Sequence, residues 1–475
     1  MNRVVADLIE YGAGAKTGHV KPVCTTDEYR ALDAAHHIHP FTDMESLNFK
    51  GSRVITKANG VYLTDSDGNR IIDGMAGLWC VNVGYGRQEL IEAAYRQLQV
   101  LPYYNTFFQS THPPVIELSA LLAELVPGDF SHFFYCNSGS EGNDTVMRIV
   151  QQYWIALGKR TKKYVISRKN AYHGSTIAGA TLGGMTGMHS QMLSRVEYVE
   201  YIGQPCYFGE AQRGTTPEEF GLLRARELEA KILELGAENV GAFIGEPFQG
   251  AGGVIVPPST YWPEIERICR KYDVLLVADE VIGGFGRTGE WFAHEHFGFA
   301  PDLITMAKGL TSGYVPMGAV GVHSRVAKVL AKGGDFAHGV TYSGHPVAAA
   351  VALANLKLLR DDRIVENVKT DTGPYFQRKL RDAFTNHPLV GEVAGVGLVA
   401  GIQIADAAHG KALDNGTEVA IACRDFSYHH NLIMRPTGDR MTLSPPLVVT
   451  HDEIDEIVTK AKTAIDDAAR QFGFA

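Results

Sequence analysis

The chain reads as a large doubly wound α/β domain, built on a mainly parallel sheet, joined to a smaller α+β domain. Three observations predict this. From about residue 113 to 320, helix-period and strand-period segments alternate, as in crossover-linked parallel strands. The strands in that region are short, nearly continuous apolar runs, as expected where both faces of a sheet are covered. After residue 345 the alternation gives way to helices, a Gly-rich β segment and a terminal helix. The boundaries that follow are 1–75 for an N-terminal arm and hairpin joining the small domain, 76–345 for the large domain, and 346–475 for the small one.

Residues 1–50 are mixed and polar and form the arm. Short β-rich pieces then flank Asp67-Gly68-Asn69, which predicts an antiparallel hairpin. Leu90, Ile91, Ala94 and Leu98 have helical spacing over 87–100, and the helix stops before Pro102. Leu78-Trp79 and the run PYYNTFF at 102–108 place dense aromatics in loops. They fit a core or dimer contact, or the wall of an apolar substrate pocket. Helix 113–126 leads to the strand HFFYC, helix 140–157 to KYVIS, helix 217–236 to VGAFIG, and helix 260–272 to VLLVA and then LITMA. Helices 346–360 and 363–386, the β segment VAGVGLVAGIQI and a helix over 451–471 complete the chain, with 346–360 linking the two domains.

The 475 residues leave room for two or three cores, and 45% apolar with 20% charged residues is ordinary for a globular chain. A net charge of -9 without a basic run argues against nucleic acid as partner. Six irregularly spaced cysteines without a CxxC predict neither a zinc site nor a disulfide framework, so reduced thiols in the cytoplasm are expected, and no metal. The first residues carry acids where a signal peptide needs an apolar core, and no apolar run is long enough for a bilayer.

The chemistry concentrates at five strand ends. HFFYC runs into Asn137-Ser138-Gly139-Ser140-Glu141, KYVIS towards Tyr172-His173-Gly174, VGAFIG into Glu246, VLLVA into Asp279 and LITMA into Lys308. In an open parallel sheet, ligands bind beyond the carboxyl ends of the strands. An acid and a primary amine there suit pyridoxal phosphate, which takes a lysine Schiff base and an acid at its pyridinium nitrogen. Ser138 and Glu141 have capping-box spacing, and the same helix start, with free N–H groups and a hydroxyl, can hold a phosphate. Tyr172 can pack as core or lie on a cofactor ring. His173 fits a structural histidine somewhat better than a catalytic one, and Glu246 a turn acid or a partner for a cation. The hydroxyls of 338–346 can cap the next helix or reach a phosphate. Arg435 suits an ion pair or a fork for a substrate carboxylate.

On these residues the chain resembles the class III, pyridoxal-phosphate-dependent aminotransferases of fold type I. The resemblance runs from about residue 30 to the end. It rests on Asp73–Cys80 (DGMAGLWC), SGSEGND at 138–144, AYHGST at 171–176, GEPFQGAGGVIVPP at 245–258, ADEVIGGFGRTG at 278–289, MAKGLTSGYVPMGA at 306–319 and HGVTYSGHPVAAA at 338–350. Within the family the chain is most similar to the ω-amino acid:pyruvate and amine:pyruvate transaminases, putrescine–pyruvate members included. The resemblance implies Lys308 as the Schiff-base lysine, Asp279 as partner of the ring nitrogen, and Val281 and Tyr172 on the two ring faces. It further implies Ser138, Gly139 and Ser140 as the phosphate loop and Thr341 on the phosphate of a neighbouring subunit's cofactor, so the site of a homo-oligomer is shared. Leu78 and Trp79 are implied as substrate contacts, and Arg435 as a mobile partner of the keto acid's carboxylate. Gly142 stands where many relatives have Ala. Ile282 stands where GABA- and ornithine-type members carry Gln, which disfavours those relatives.

The expected activity is transfer of an amino group from an ω-amino acid or primary amine to pyruvate. An aminomutase or racemase of the same fold, or a cofactor-holding regulatory module, are the alternatives. A nicotinamide oxidoreductase is disfavoured, because no GxGxxG opens the first strand–helix turn.

Overall fold

The computed structural model describes residues 24–474, so residues 1–23 of the expected arm lie outside the described residues. The rest of the arm forms two helices, Thr26–His36 and Met44–Lys50, each started by a side-chain cap from Thr25 or Asp43. Three antiparallel strands follow: β1 (Ile55–Asn59), β2 (Tyr62–Asp65) and β3 (Arg70–Asp73). The Asp65 carboxylate accepts the N–H groups of Asp67 and Asn69 at 3.1 and 2.9 Å, which closes the β2–β3 turn at the Asp-Gly-Asn signal.

The large sheet contains β4 (Phe130–Cys136), β5 (Tyr164–Arg168), β6 (Val199–Ile202), β7 (Val240–Gly245), β8 (Leu275–Asp279), β9 (Leu303–Met306) and β10 (Gly318–His323), in the order β4-β10-β9-β8-β7-β5-β6. Pairings among β5 to β9 are parallel, while β10 runs antiparallel to both β9 and β4. Two reversals leave β4 aligned with β9, so the five polar strand ends share one edge. The sequence reading foresaw neither β6 nor β10. Glycines mask β10, and they are needed: a Cβ at Gly318 would lie 2.5 Å from the Ser138 carbonyl oxygen.

Both faces of this sheet are buried, and β8 shows how. Leu275 and Val277 face the cluster of Val146, Val150 and Trp154 from helix Gly139–Ala156. Leu276 and Ala278 face Leu228, Ile232, Ile265 and Ile268 from helices Pro217–Leu235 and Tyr261–Lys271. Each such aliphatic side chain contributes about 1.5–3 kcal/mol of burial, which makes the strands a rigid base for the loops at their ends.

Towards the C-terminus lie β11 (Val390–Val396), β12 (Val399–Asp406), β13 (Lys411–Ala412), β14 (Leu432–Ile433), β15 (Arg435–Thr437) and β16 (Arg440–Leu443). A sheet of order β11-β12-β16-β15 carries β13 on β12, while β14 pairs in parallel with β3 and so ties this region to the early strands. The expected single helix over 363–386 is three pieces, Ile364–Asn367, a π turn Val368–Thr372, and Gly373–Phe384. Pro374 has no N–H for the helical ladder, and the chain widens there. Helices Pro346–Asp361 and His451–Gln471 form where expected. Helix Pro346–Asp361 is capped by the His345 ring accepting the Val347 N–H, rather than by the hydroxyls before it. All six cysteines are free, and no helix of the described residues is long and apolar enough to cross a membrane.

Candidate active site at the strand ends

A cavity of about 360 Å³ opens at the carboxyl edge of the large sheet. Ser138, Gly139, Ser140, Tyr172, His173, Glu246, Asp279, Val281 and Lys308 all line it. The convergence expected from the strand ends is therefore real geometry.

Asp279 closes β8 and is 4% exposed. Its Oδ2 accepts from Asn143 Nδ2 and His173 Nδ1, both at 2.8 Å, and its Oδ1 from the Val281 N–H at 3.1 Å. Three donors thus compensate a buried charge. His173 is 1% exposed, and its Nε2 has no partner among the described residues.

Lys308 follows β9 after one intervening residue, Ala307, and starts a single 3₁₀ turn ending at Leu310. Its φ of 47° lies in the left-handed region, a strained setting for a lysine of the kind found at functional sites. The amine has no hydrogen bond or ion pair among the described residues. Burial pushes its pKa below the ordinary lysine value, against the pull of Cys80, Asp279 and Glu246, while the Arg435 charge adds to the lowering.

The helix start opposite is shaped for an anion. Ser138 Oγ accepts the Glu141 N–H at 3.2 Å, but the capping box is half formed. Ser138 is extended, with φ -156°, and the Glu141 carboxylate reaches past it to the N–H and side-chain amide of Asn137, at 2.7 and 2.9 Å. The N–H groups of Gly139 and Ser140 keep no acceptor among the described residues, and they sit at the positive end of an 18-residue helix. Gly139 is obligatory, because a Cβ there would meet Val281 Cγ2 at 2.7 Å. Gly174, at φ 125°, lets the next loop press onto Ser140, whose Oγ accepts the Ser175 N–H at 3.1 Å.

Glu246 is not a free acid. Its oxygens accept the N–H groups of Tyr172 at 3.0 Å and Gly250 at 2.8 Å, so it fixes the loop that presents Tyr172. Burial raises its pKa, countered by His173.

Four expected residues stand apart from the cavity lining within one chain. Thr341 is exposed, and its carbonyl accepts from Tyr103 Oη at 2.7 Å. Leu78 is exposed and Trp79 is 2% exposed, packed with Met75, Phe248 and Val254, so Trp79 stands behind the wall formed by Phe248. The short turn Ala76–Trp79 is kinked at Gly77 and Leu78, and Asp73 braces the kink by accepting the N–H groups of Met75 and Gly77 at 2.9 and 2.6 Å. Arg435 opens β15 without lining the cavity, yet its charge is felt at Lys308. Its guanidinium has no hydrogen bond or ion pair among the described residues, and burial lowers its pKa, opposed by Tyr172.

Sequence reasoning passed over Asn143, Cys80, Phe248 and the 315–317 segment, all of which line the cavity. Asn143 carried a usable signal: an amide in an apolar helix stripe is a poor helix former unless something faces it.

The family model for "Aminotransferase class-III" matches residues 44–465. The chain belongs to the class III aminotransferases. It is 53% identical over 444 residues to the putrescine–pyruvate aminotransferase of Pseudomonas aeruginosa, covering 94% of this chain and 97% of that one. It is 41% identical to the diaminobutyrate–2-oxoglutarate transaminase of Halomonas elongata, with 94% and 96% covered. Among solved structures, the ω-transaminase of Pseudomonas jessenii in complex with PMP superposes with a TM-score of 0.91 at 40% identity, covering 94% of this chain and 99% of that one. As a class III aminotransferase the protein depends on pyridoxal phosphate. The cavity fits that group: among the described residues it offers an unpaired amine, a braced carboxylate, a Gly139 cradle that a Cβ would fill, and an orphaned buried nitrogen on His173.

Proposed function

We propose that this aminotransferase moves the amino group of a primary amine, a diamine or ω-amino acid included, to pyruvate, giving alanine and an aldehyde or ketone. The observation that carries the reading is the pairing of a free amine at Lys308 with a braced carboxylate at Asp279 across one cavity. The 53% identity to a putrescine–pyruvate aminotransferase supports the substrate class. On the same proposal residues 1–75 are the arm and hairpin that join the small domain, 76–345 the cofactor-binding domain and 346–475 the small domain.

Bound pyridoxal supplies an electron sink and a carrier for the amino group. Lys308 holds it between turnovers. The Lys308 amine would also take the proton from the donor's amine-bearing carbon, a role worth about 10²–10⁴ in rate. Burial lowers the pKa of that amine and so favours its neutral form. Asp279 would hold the proton of the ring nitrogen, Val281 and Tyr172 would flank the ring, and Ser138 to Ser140 would take the phosphate. Glu246 and His173 shape the site from behind. Arg435, with no fixed partner among the described residues, pairs with the carboxylate of pyruvate and turns away from uncharged tails. A fixed buried arginine would be costly whenever the donor carried no acid.

Thr341 and Leu78, exposed in one chain, act across a homodimer. The exposed aromatics Tyr103, Tyr104, Phe107, Phe108 and Tyr342 supply an apolar face for the second copy. Free thiols fit the cytoplasm.

A panel of amine donors incubated with pyruvate, with alanine quantified, tests this function. Alanine formation with diamines or ω-amino acids and parallel initial-rate lines are expected. Intersecting lines, or no alanine from any donor, reject it.

A further inference from the structure

We propose that Asn143 and Thr305 are positioning residues that hold the Asp279 carboxylate charged and in one orientation. Asn143 lies one turn into helix Gly139–Ala156 and is 1% exposed. Its Nδ2 donates to Asp279 Oδ2 and to the His173 carbonyl, both at 2.8 Å. Its Oδ1 accepts from Thr305 Oγ1 at 2.7 Å. Thr305 is fully buried in β9 and stands directly across from Asp279 in the parallel register. Hydroxyl, amide and carboxylate therefore form one directed chain, and the amide orientation follows from its partners. Flipped, Asn143 would set its oxygen against two acceptors. Gly142 makes the approach possible, since a Cβ there would meet Thr305 Cγ2 at 2.8 Å.

The physical role follows from burial. A carboxylate removed from water keeps its charge only where donors face it. His173 Nδ1 and the Val281 N–H supply two. Asn143 supplies the third, and it does so reliably only while Thr305 occupies its oxygen. An amide whose oxygen is hydrogen-bonded is also a better donor at its nitrogen.

This rests on the reading of Asp279 as partner of the ring nitrogen. The test compares holoenzyme of the wild type, T305V, T305S, N143L and D279N. One readout is the pH midpoint of the bound cofactor's visible absorbance. The other is the affinity of the apoprotein for pyridoxal phosphate. A ring nitrogen less firmly protonated draws less density from the group joined to Lys308, which then keeps its proton to higher pH. The T305V midpoint is expected to rise by about half a pH unit and affinity to fall about 3- to 10-fold, the scale of one hydrogen bond. N143L moves further in the same direction, T305S stays with the wild type, and the T305V/N143L double variant goes no further than N143L alone. The proposal is overturned if T305V keeps the wild-type midpoint and affinity, whatever its melting temperature, or if T305S matches T305V. Should N143L not fold, T305V against T305S decides. If D279N itself leaves both readouts unchanged, the reading of Asp279 fails instead.

Discussion

The two sides of the cavity treat charge in opposite ways. Around Asp279 every interaction is fixed: three donors meet one carboxylate, and Thr305 stands behind the Asn143 amide. Around Lys308 and Arg435 neither basic group has a fixed partner among the described residues, and burial lowers the pKa of both. On the proposed roles, the acid stays in one orientation, and the fold surrounds it with donors. On the same proposal the lysine changes protonation and bonding, and the arginine serves one substrate and not another. A permanent ion pair would block both. Stability is kept where nothing moves, and reactivity where the fold withholds partners.

Removing the reactive side is the strongest way to break this contrast. Lys308→Ala is expected to abolish alanine formation, a loss of at least about 10²–10⁴-fold, with the fold retained by circular dichroism. Turnover at the wild-type rate would end the assignment. Next in size, Arg435→Ala is expected to slow the pyruvate half-reaction about 10- to 100-fold, the worth of a charge-assisted hydrogen bond. Amine half-reactions with uncharged tails should be nearly unaffected in stopped-flow measurements, and equal losses in both would count against a movable arginine. A pH experiment sharpens the comparison. Burial lowers the pKa of Lys308, so above that value the unfolded chain binds a proton the folded chain has shed. Apoprotein stability should therefore rise between the lowered value and the ordinary one, by up to about 1.4 kcal/mol per pH unit. Lys308→Met should remove that rise in denaturant melts, and an unchanged slope would mean the amine is not desolvated. The smallest effect is at the helix start. Ser138→Ala should cost about 1 kcal/mol of stability and also weaken cofactor binding, whereas lost stability with unchanged affinity would make Ser138 a cap alone.

Much of this was legible in the sequence. The strand VGAFIG forms over Val240–Gly245 as read, and the terminal helix over His451–Gln471. The polar strand ends were visible because short apolar runs stop abruptly at Asp279 and near Lys308. Other features left no local trace. β10 was passed over because it carries glycines at 318 and 321, where Ser138 and Phe133 need the space. Leu78 and Trp79 are neighbours of similar character, and a kink braced by Asp73 sends one outward and the other into the core.

By itself the sequence determined the periodicities, the apolar strands and the chemistry placed at their ends, because these depend on residues close together in the chain. Only the tertiary structure decided which polar groups meet. The insertion of β10 between β4 and β9, the reach of Asn143 from its helix to Asp279 and Thr305, and the isolation of Lys308 and Arg435 from any counter-ion among the described residues are long-range packing outcomes. A hydrogen bond made or withheld across more than a hundred residues leaves no period in the chain to be read.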